Sequence, residues 1–366
     1  MAENKVKLNP VSSVGPGSVY LRPELKDMKV IGVEEHVSFP NLLQRIPDQG
    51  VAQHARKINS EMVKHEALAY AQGRLFNVAA ERLRDMDEGQ IALQILSLAG
   101  AVNCTHLSPV AGTKLAKDIN DQLKAAVDTC PVRFAALAEL PMHAPEAAAK
   151  ELRRCVTELG FVGAMMSGSI GGTGKFLDSS EFDVLLSEFE ELDVPLYLHP
   201  GIAPQSVYNT YYEIPDHPQL SATLSGMGWG WHNEVAIHTI RLAVTGTLDR
   251  HPRLKVVVGH QGEMLPMMVQ RFDTVFEQTV FGFQRSVGEM LRSQVWLAIS
   301  GLFTLPATMT AIQTWGVGRI LFANDYPFVD SQRVPEFLRA LGDMVSPEDL
   351  RRICQKNAEQ LFRIQA

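Results

Sequence analysis

Five residues of metal-binding or proton-moving type stand at the ends of short apolar runs. Glu34 and His36 close VIGVEEH, His199 follows VPLYL, His260 ends LKVVVGH, and Asp325 follows RILFAN. Imidazoles and carboxylates in that mixture suit a divalent transition ion. Glu34 and His36 stand two apart, and on a strand such residues point to one side, so both can face one ion. Taken singly, each has a plain alternative: a turn after a strand for Glu34-x-His36, a rim or capping residue for His199, His260 and Asp325. Four strand ends finishing this way, in this order, make coincidence the poorer explanation.

The elements that must bring these residues together read as eight apolar runs: 30–36, 91–99, 134–140, 160–169, 194–200, 254–260, 295–301 and 319–327. Parallel strands covered on both faces give such continuous runs rather than alternating ones. Helical patterns fill the gaps, among them 78–88, 113–129 with Thr113 as its cap, 145–159, 180–192, 234–248 and 264–278. The expected fold is an α/β protein, a (β/α)8 TIM barrel forming one domain over residues 28–366, after an N-terminal extension of residues 1–27. Barrel enzymes carry their chemistry at the C-terminal strand tips, where all five residues fall. Two connections far exceed the usual ~2–6 residues. They are insertions after strand 1 (residues 41–77) and strand 5 (residues 201–233). The second holds Tyr208, Tyr211, Tyr212, Trp229 and Trp231, suited equally to a flat, ring-shaped pocket and to a subunit interface.

Strand four bears on the number of ions. A binuclear barrel needs a bridging group there, often a modified lysine, but GFVGAMMSG has none, and Lys175 lies beyond a Gly-rich loop. One ion is expected, Zn2+ or Mn2+ rather than Mg2+, which prefers oxygen ligands and water. The loop SGSIGGTGKF invites a phosphate-loop reading but lacks G-x-x-x-x-G-K-[ST], because Phe176 follows Lys175. His54, His65, His217 and His251 fall in polar or Pro-flanked stretches and are expected in solvent, and His238 on a helix face. The net charge of −7, with no basic stripe, argues against nucleic acid and against an anionic membrane surface. No apolar run nears the ~20 residues of a membrane span. Cys104, Cys130, Cys155 and Cys354 are scattered without a CxxC, and MAENKVKLNP lacks an apolar signal core. A cytoplasmic protein with reduced thiols is expected.

With these residues in view, the chain resembles the amidohydrolase superfamily, in its metal-dependent branch of γ-resorcylate, 2,3-dihydroxybenzoate and 5-carboxyvanillate decarboxylases. The likeness runs from about Met28 to the C-terminus. It rests on EEH at 34–36, LHP around His199, DRHPRLKVVVGHQGEMLPMMVQRFD at 249–273, NDYPF at 324–328 and KNAEQLF at 356–362. The resemblance implies one divalent ion on Glu34, His36, His199 and Asp325, with Asp325 also the proton donor. It implies His260 over the ion with Glu263 as partner, and Arg271 on the substrate carboxylate. The activity implied is non-oxidative decarboxylation of a hydroxylated aromatic, or similar cyclic, carboxylic acid by a homodimer or homotetramer. The same ligands can instead activate water against an amide, lactone or ester, and hydrolysis is the alternative reading.

Overall fold

A computed structural model describes residues 27–364 except Gln72; the extension expected at residues 1–27 falls, but for Asp27, outside the described residues. Among the described residues nine short strands fill eight positions. They are β1 (Val30–Val37), β2 (Ile91–Leu98), β3 (Phe134–Ala136), β4 (Ala138–Glu139), β5 (Ala164–Ser167), β6 (Leu196–His199), β7 (Val256–Val258), β8 (Val295–Ala298) and β9 (Ile320–Leu321). Pairing is parallel and sequential, β1 to β3 and β4 to β9. β3 and β4 are one strand interrupted at Leu137, whose N–H still reaches Leu96 O on β2 at 2.9 Å. The ring closes where the chain beyond β9 meets β1: Val33 N donates to Phe322 O at 3.2 Å, and Asp325 N to Glu34 O at 3.0 Å. Each expected run supplies one position of this TIM barrel.

The strand period of two separates two cores. Ile31, Val33, Leu93, Ile95, Met165, Tyr197 and Val257 form one cluster inside the barrel. Val30, Leu96, Leu98, Met166, Leu196 and Val256 face the surrounding helices. Burying each such side chain contributes about 1.5–3 kcal/mol. The helix Pro109–Asp128 starts earlier than expected, with Pro109 in its first turn, where a missing N–H costs nothing. Thr113, expected as the cap, lies inside it and donates its hydroxyl to Pro109 O at 2.7 Å.

A bulge in β1 aims the site. Gly32 pairs with Gln94 but Glu35 pairs with Leu96, so β1 holds one extra residue between them. After Ile31 and Val33, plain alternation would send Glu35 inward; the bulge turns Glu34 and His36 inward instead. Glu35 faces away from the barrel interior and accepts from Asn324 N at 2.9 Å, Tyr326 N at 3.2 Å and Gln94 Nε2 at 3.2 Å. Burial pushes its carboxyl up to about 8 despite those donors.

Both long connections are largely helical. The first contains Gly50–Met62, and the second Gln205–Val207, Tyr208–Tyr212 and Pro218–Ser225, with Gly230–Val244 starting before its end. No helix among the described residues is long and apolar enough to cross a membrane.

Candidate active site

Glu34, His36 and His199 meet at the C-terminal ends of β1 and β6. Glu34 Oε1 is 3.8 Å from His36 Nε2 and 3.3 Å from His199 Nε2. The three ligand atoms lie within 4.8 Å of one another. Glu34 Oε1 and His36 Nε2 are buried without a hydrogen-bond partner, a state that costs about 1–3 kcal/mol per atom unless another group satisfies it. Glu34 Oε2 and both Nδ1 atoms are engaged. The Tyr197 and Ser300 hydroxyls both donate to Glu34 Oε2. His199 Nδ1 donates to Pro200 O at 2.8 Å, and His36 Nδ1 is 3.0 Å from Ser97 Oγ. One carboxylate oxygen and two Nε2 atoms are thereby turned toward one point, as supporting contacts do around metal ligands. This donor set fits a divalent transition ion.

The electrostatics follow from burial and proximity. Burial, with His36 alongside, holds the His199 imidazole down to about 4, so its Nε2 keeps a lone pair. Burial also opposes charge on His36, but Asp325 and Glu34 outweigh it and raise that ring to about 9. For Glu34, burial favours the neutral acid, yet His260, His36 and His199 hold the carboxyl well below the usual carboxylate range.

Asp325, the fourth expected ligand, stands just outside the group of three. Its Oδ1 is 3.3 Å from His36 Nε2 and its Oδ2 is 3.8 Å from His260 Nε2, so it lies between the ligand cluster and the expected His260–Glu263 pair. That pair is present, with His260 Nδ1 at 2.8 Å from Glu263 Oε1. Unusual backbone delivers these side chains. Residues 260 to 264 run at φ 45, 62, 82, 51 and 66°, a left-handed turn at the tip of β7; Ser300 after β8 has φ 48° and Asp325 after β9 has φ 61°. Such conformations cost non-glycine residues on the order of 1–3 kcal/mol each and collect at functional sites.

A fourth imidazole joins the group without a motif to mark it. His232, from the 201–233 connection, places Nδ1 2.5 Å from Glu263 Oε2. Tyr197 and Ser300 are equally unmarked, although Tyr197 stands two residues before His199 and so shares its inward face.

The group opens on a cavity of about 350 Å3 whose walls include Met62, Leu75, Met227, Trp231 and Phe328, a size that admits a substituted aromatic ring. Of the five aromatics in the second connection, Trp231 lines it, whereas Tyr211 and Trp229 are 74% and 47% exposed. The described residues lining the cavity include neither Lys nor Arg. Arg271, expected on the substrate carboxylate, is not among the described residues that line this cavity. The helix Leu265–Val275 buries Leu265, Val269 and Phe272, which leaves Arg271 exposed with Met267 and Met268. His54 and His251, expected in solvent, are also buried. His54 Nε2 lies 3.3 Å from Ala203 O, and His251 bridges Asp183 and Glu190 at 3.1 and 3.0 Å. His238 is buried too and accepts from Leu177 N at 3.1 Å.

The amidohydrolase family model matches residues 53–364. Decarboxylase orsB of Emericella nidulans is 36% identical over 294 residues, covering 77% of this chain and 85% of that protein. The gamma-resorcylate decarboxylase of Rhodococcus jostii is 34% identical over 304 residues, covering 80% and 90%. The crystal structure of a dihydroxybenzoic acid decarboxylase from Polaromonas sp., with bound manganese and the inhibitor 2-nitroresorcinol, superposes with a TM-score of 0.73 at 28% identity, covering 93% of this chain and 98% of that one.

Proposed function

The chain belongs to the amidohydrolase family, and from that premise we infer its reaction: it is a carboxy-lyase that removes CO2, without oxidation, from a hydroxylated aromatic acid. The relatives at 36% and 34% identity are decarboxylases matched over most of their length. What carries the reading to particular residues is the convergence of Glu34 Oε1, His36 Nε2 and His199 Nε2 beside Asp325.

We assign one divalent ion to Glu34, His36 and His199, with Asp325 as fourth ligand. Mn2+ and Zn2+ both suit this set, and the manganese of the Polaromonas enzyme favours Mn2+. When bound, the ion supplies positive charge that favours the ionised form of a hydroxyl ortho to the carboxylate. Direct loss of CO2 would strand charge in an sp2 orbital outside the ring π system, whereas the ionised oxygen feeds density to the carbon bearing the carboxylate. Asp325 takes the proton that the ortho hydroxyl gives up on ionising and delivers it to that carbon. The C–C bond electrons then return to the ring, and CO2 leaves as aromaticity is restored. His260, engaged through Nδ1 by Glu263, directs Nε2 toward Asp325 and orients the acid.

The substrate carboxylate still needs a cation, and the described lining offers no Lys or Arg. Arg271 shares an exposed face with Met267 and Met268, which are 73% and 44% exposed. The sequence leads us to expect a homodimer or homotetramer, with Arg271 on the substrate carboxylate; we propose that both hold together, with Arg271 reaching the carboxylate held by an adjacent copy. We place the enzyme in the cytoplasm, on its four unpaired cysteines, acting on a small aromatic acid and on neither nucleic acid nor membrane.

A panel of hydroxybenzoic acids, neutral lactones and amides tests the reading. One equivalent of CO2 per acid consumed, with the neutral compounds intact, is the expected result; hydrolysis of neutral compounds with no CO2 from any acid would replace it.

A further inference from the structure

His232 is absent from every strand-end pattern, yet it lines the same cavity as His199, His260 and Asp325. It sits in the first turn of the helix Gly230–Val244, where the second long connection returns to the barrel. That turn is pressed onto the preceding segment: a Cβ at residue 230 would meet Ser225 O at 2.2 Å, so only glycine lets the helix begin here. The close approach fixes where His232 points. Its Nδ1 lies 2.5 Å from Glu263 Oε2, its Nε2 3.3 Å from Met227 O, and its ring centroid 5.0 Å from that of His260.

Glu263 is buried and divides its carboxylate between two imidazoles. Oε2 takes the Nδ1–H of His232, and Oε1 takes the Nδ1–H of His260 at 2.8 Å. Each ring meets a different oxygen at hydrogen-bond separation, which makes the three residues one hydrogen-bonded chain. A carboxylate anchored at only one oxygen can turn about its last torsion, and with it the ring it holds. With both oxygens engaged, Glu263 keeps the His260 proton on Nδ1 and leaves Nε2 facing Asp325.

We propose that His232 is a positioning residue of the decarboxylation: it pins Glu263, which in turn fixes the tautomer and orientation of His260. The second long connection thereby contributes to the catalytic geometry as well as to the cavity wall. The kinetic consequence rests on the decarboxylase reading; the tautomer does not.

The test compares the full-length, Mn2+-loaded protein with His232→Leu and His232→Asn. Asparagine can still donate to Glu263, whereas leucine cannot. Nitrogen-15 spectra of the histidine-labelled proteins reloaded with diamagnetic Zn2+, without substrate, should show His260 as the Nδ1–H tautomer in the parent and His232→Asn, and as a mixture in His232→Leu. In turnover, His232→Leu should lose about ten- to a hundredfold in kcat with KM within about threefold, and His232→Asn should recover most of the loss. Bound ion should stay at one per chain throughout. The proposal fails if His260 has one tautomer in all three proteins. It also fails if leucine matches the parent rate, if asparagine is as poor as leucine, or if the parent carries a second ion that His232→Leu loses. If the parent releases no CO2 from any hydroxybenzoate, the decarboxylase reading falls, and the spectra still decide the role of His232.

Discussion

Glu34 divides its two oxygens between support and function. Oε2 takes the hydroxyls of Tyr197 and Ser300, while Oε1 is left to face His36 and His199. Tyr197→Phe keeps the ring packing and removes one donor. Mn2+ affinity, read by calorimetric titration, should weaken about ten- to a hundredfold with the fold intact; unchanged affinity would assign the whole support to Ser300. The ligands themselves are legible in the sequence because Glu34, His36 and His199 end apolar runs. Yet the spacing of Glu34 and His36 alone does not say which side they face, since the preceding inward residues are Ile31 and Val33 and the bulge reverses the parity. Tyr197, Ser300 and His232 act through a third group, which leaves no mark on a one-dimensional pattern. Arg271 shows the opposite limit: the segment resembles the family closely, but which way the side chain faces depends on how Leu265, Val269 and Phe272 dock.

Among the elements, all eight strand runs are legible, because burial on both faces forces continuous apolarity. The helical stripe of Ala52, Ala55, Ile58 and Met62 in the first long connection is also present in the sequence. It is easily taken for loop because no strand follows it directly. What is not legible is the left-handed turn after β7. Gly259, which leads into that turn, lies so close to the site that a Cβ there would stand 2.7 Å from Glu34 Oε2 and 2.9 Å from Ser300 Oγ. Gly259→Ala should therefore lower bound ion measured by elemental analysis, with circular dichroism unchanged; full ion content would show that the turn yields without disturbing Glu34. β4 supplies a separate test. Burial pushes Glu139 up to about 7, although Cys104 donates to it. A carboxyl raised on folding is most stabilising below its unfolded value of 4.5, and that stability is lost as pH rises to about 7. Relative to the parent, Glu139→Gln should gain about 1–3 kcal/mol in urea unfolding between pH 5 and pH 8. A difference that does not change with pH would contradict a buried neutral acid.

At the scale of the whole molecule, barrel closure between β1 and the chain beyond β9 is what brings Asp325 to Glu34 and His36. We propose that assembly of copies completes the site. Arg271→Met should leave ion content unchanged and lower kcat/KM for the acid by roughly ten- to a thousandfold. Mixed oligomers of Arg271→Met and His199→Ala chains should regain activity, because one site then combines an intact ion cluster with an intact arginine from its neighbour. No recovery would place Arg271 outside the site. The assignment of one ion to Glu34, His36, His199 and Asp325 is tested most directly by stripping the protein with chelator, titrating it with Mn2+, and following CO2 release from 2,6-dihydroxybenzoate. No release is expected without the ion, and a linear rise that breaks at one ion per chain with it. Full release from the stripped protein, or a break at two ions per chain, would contradict that assignment.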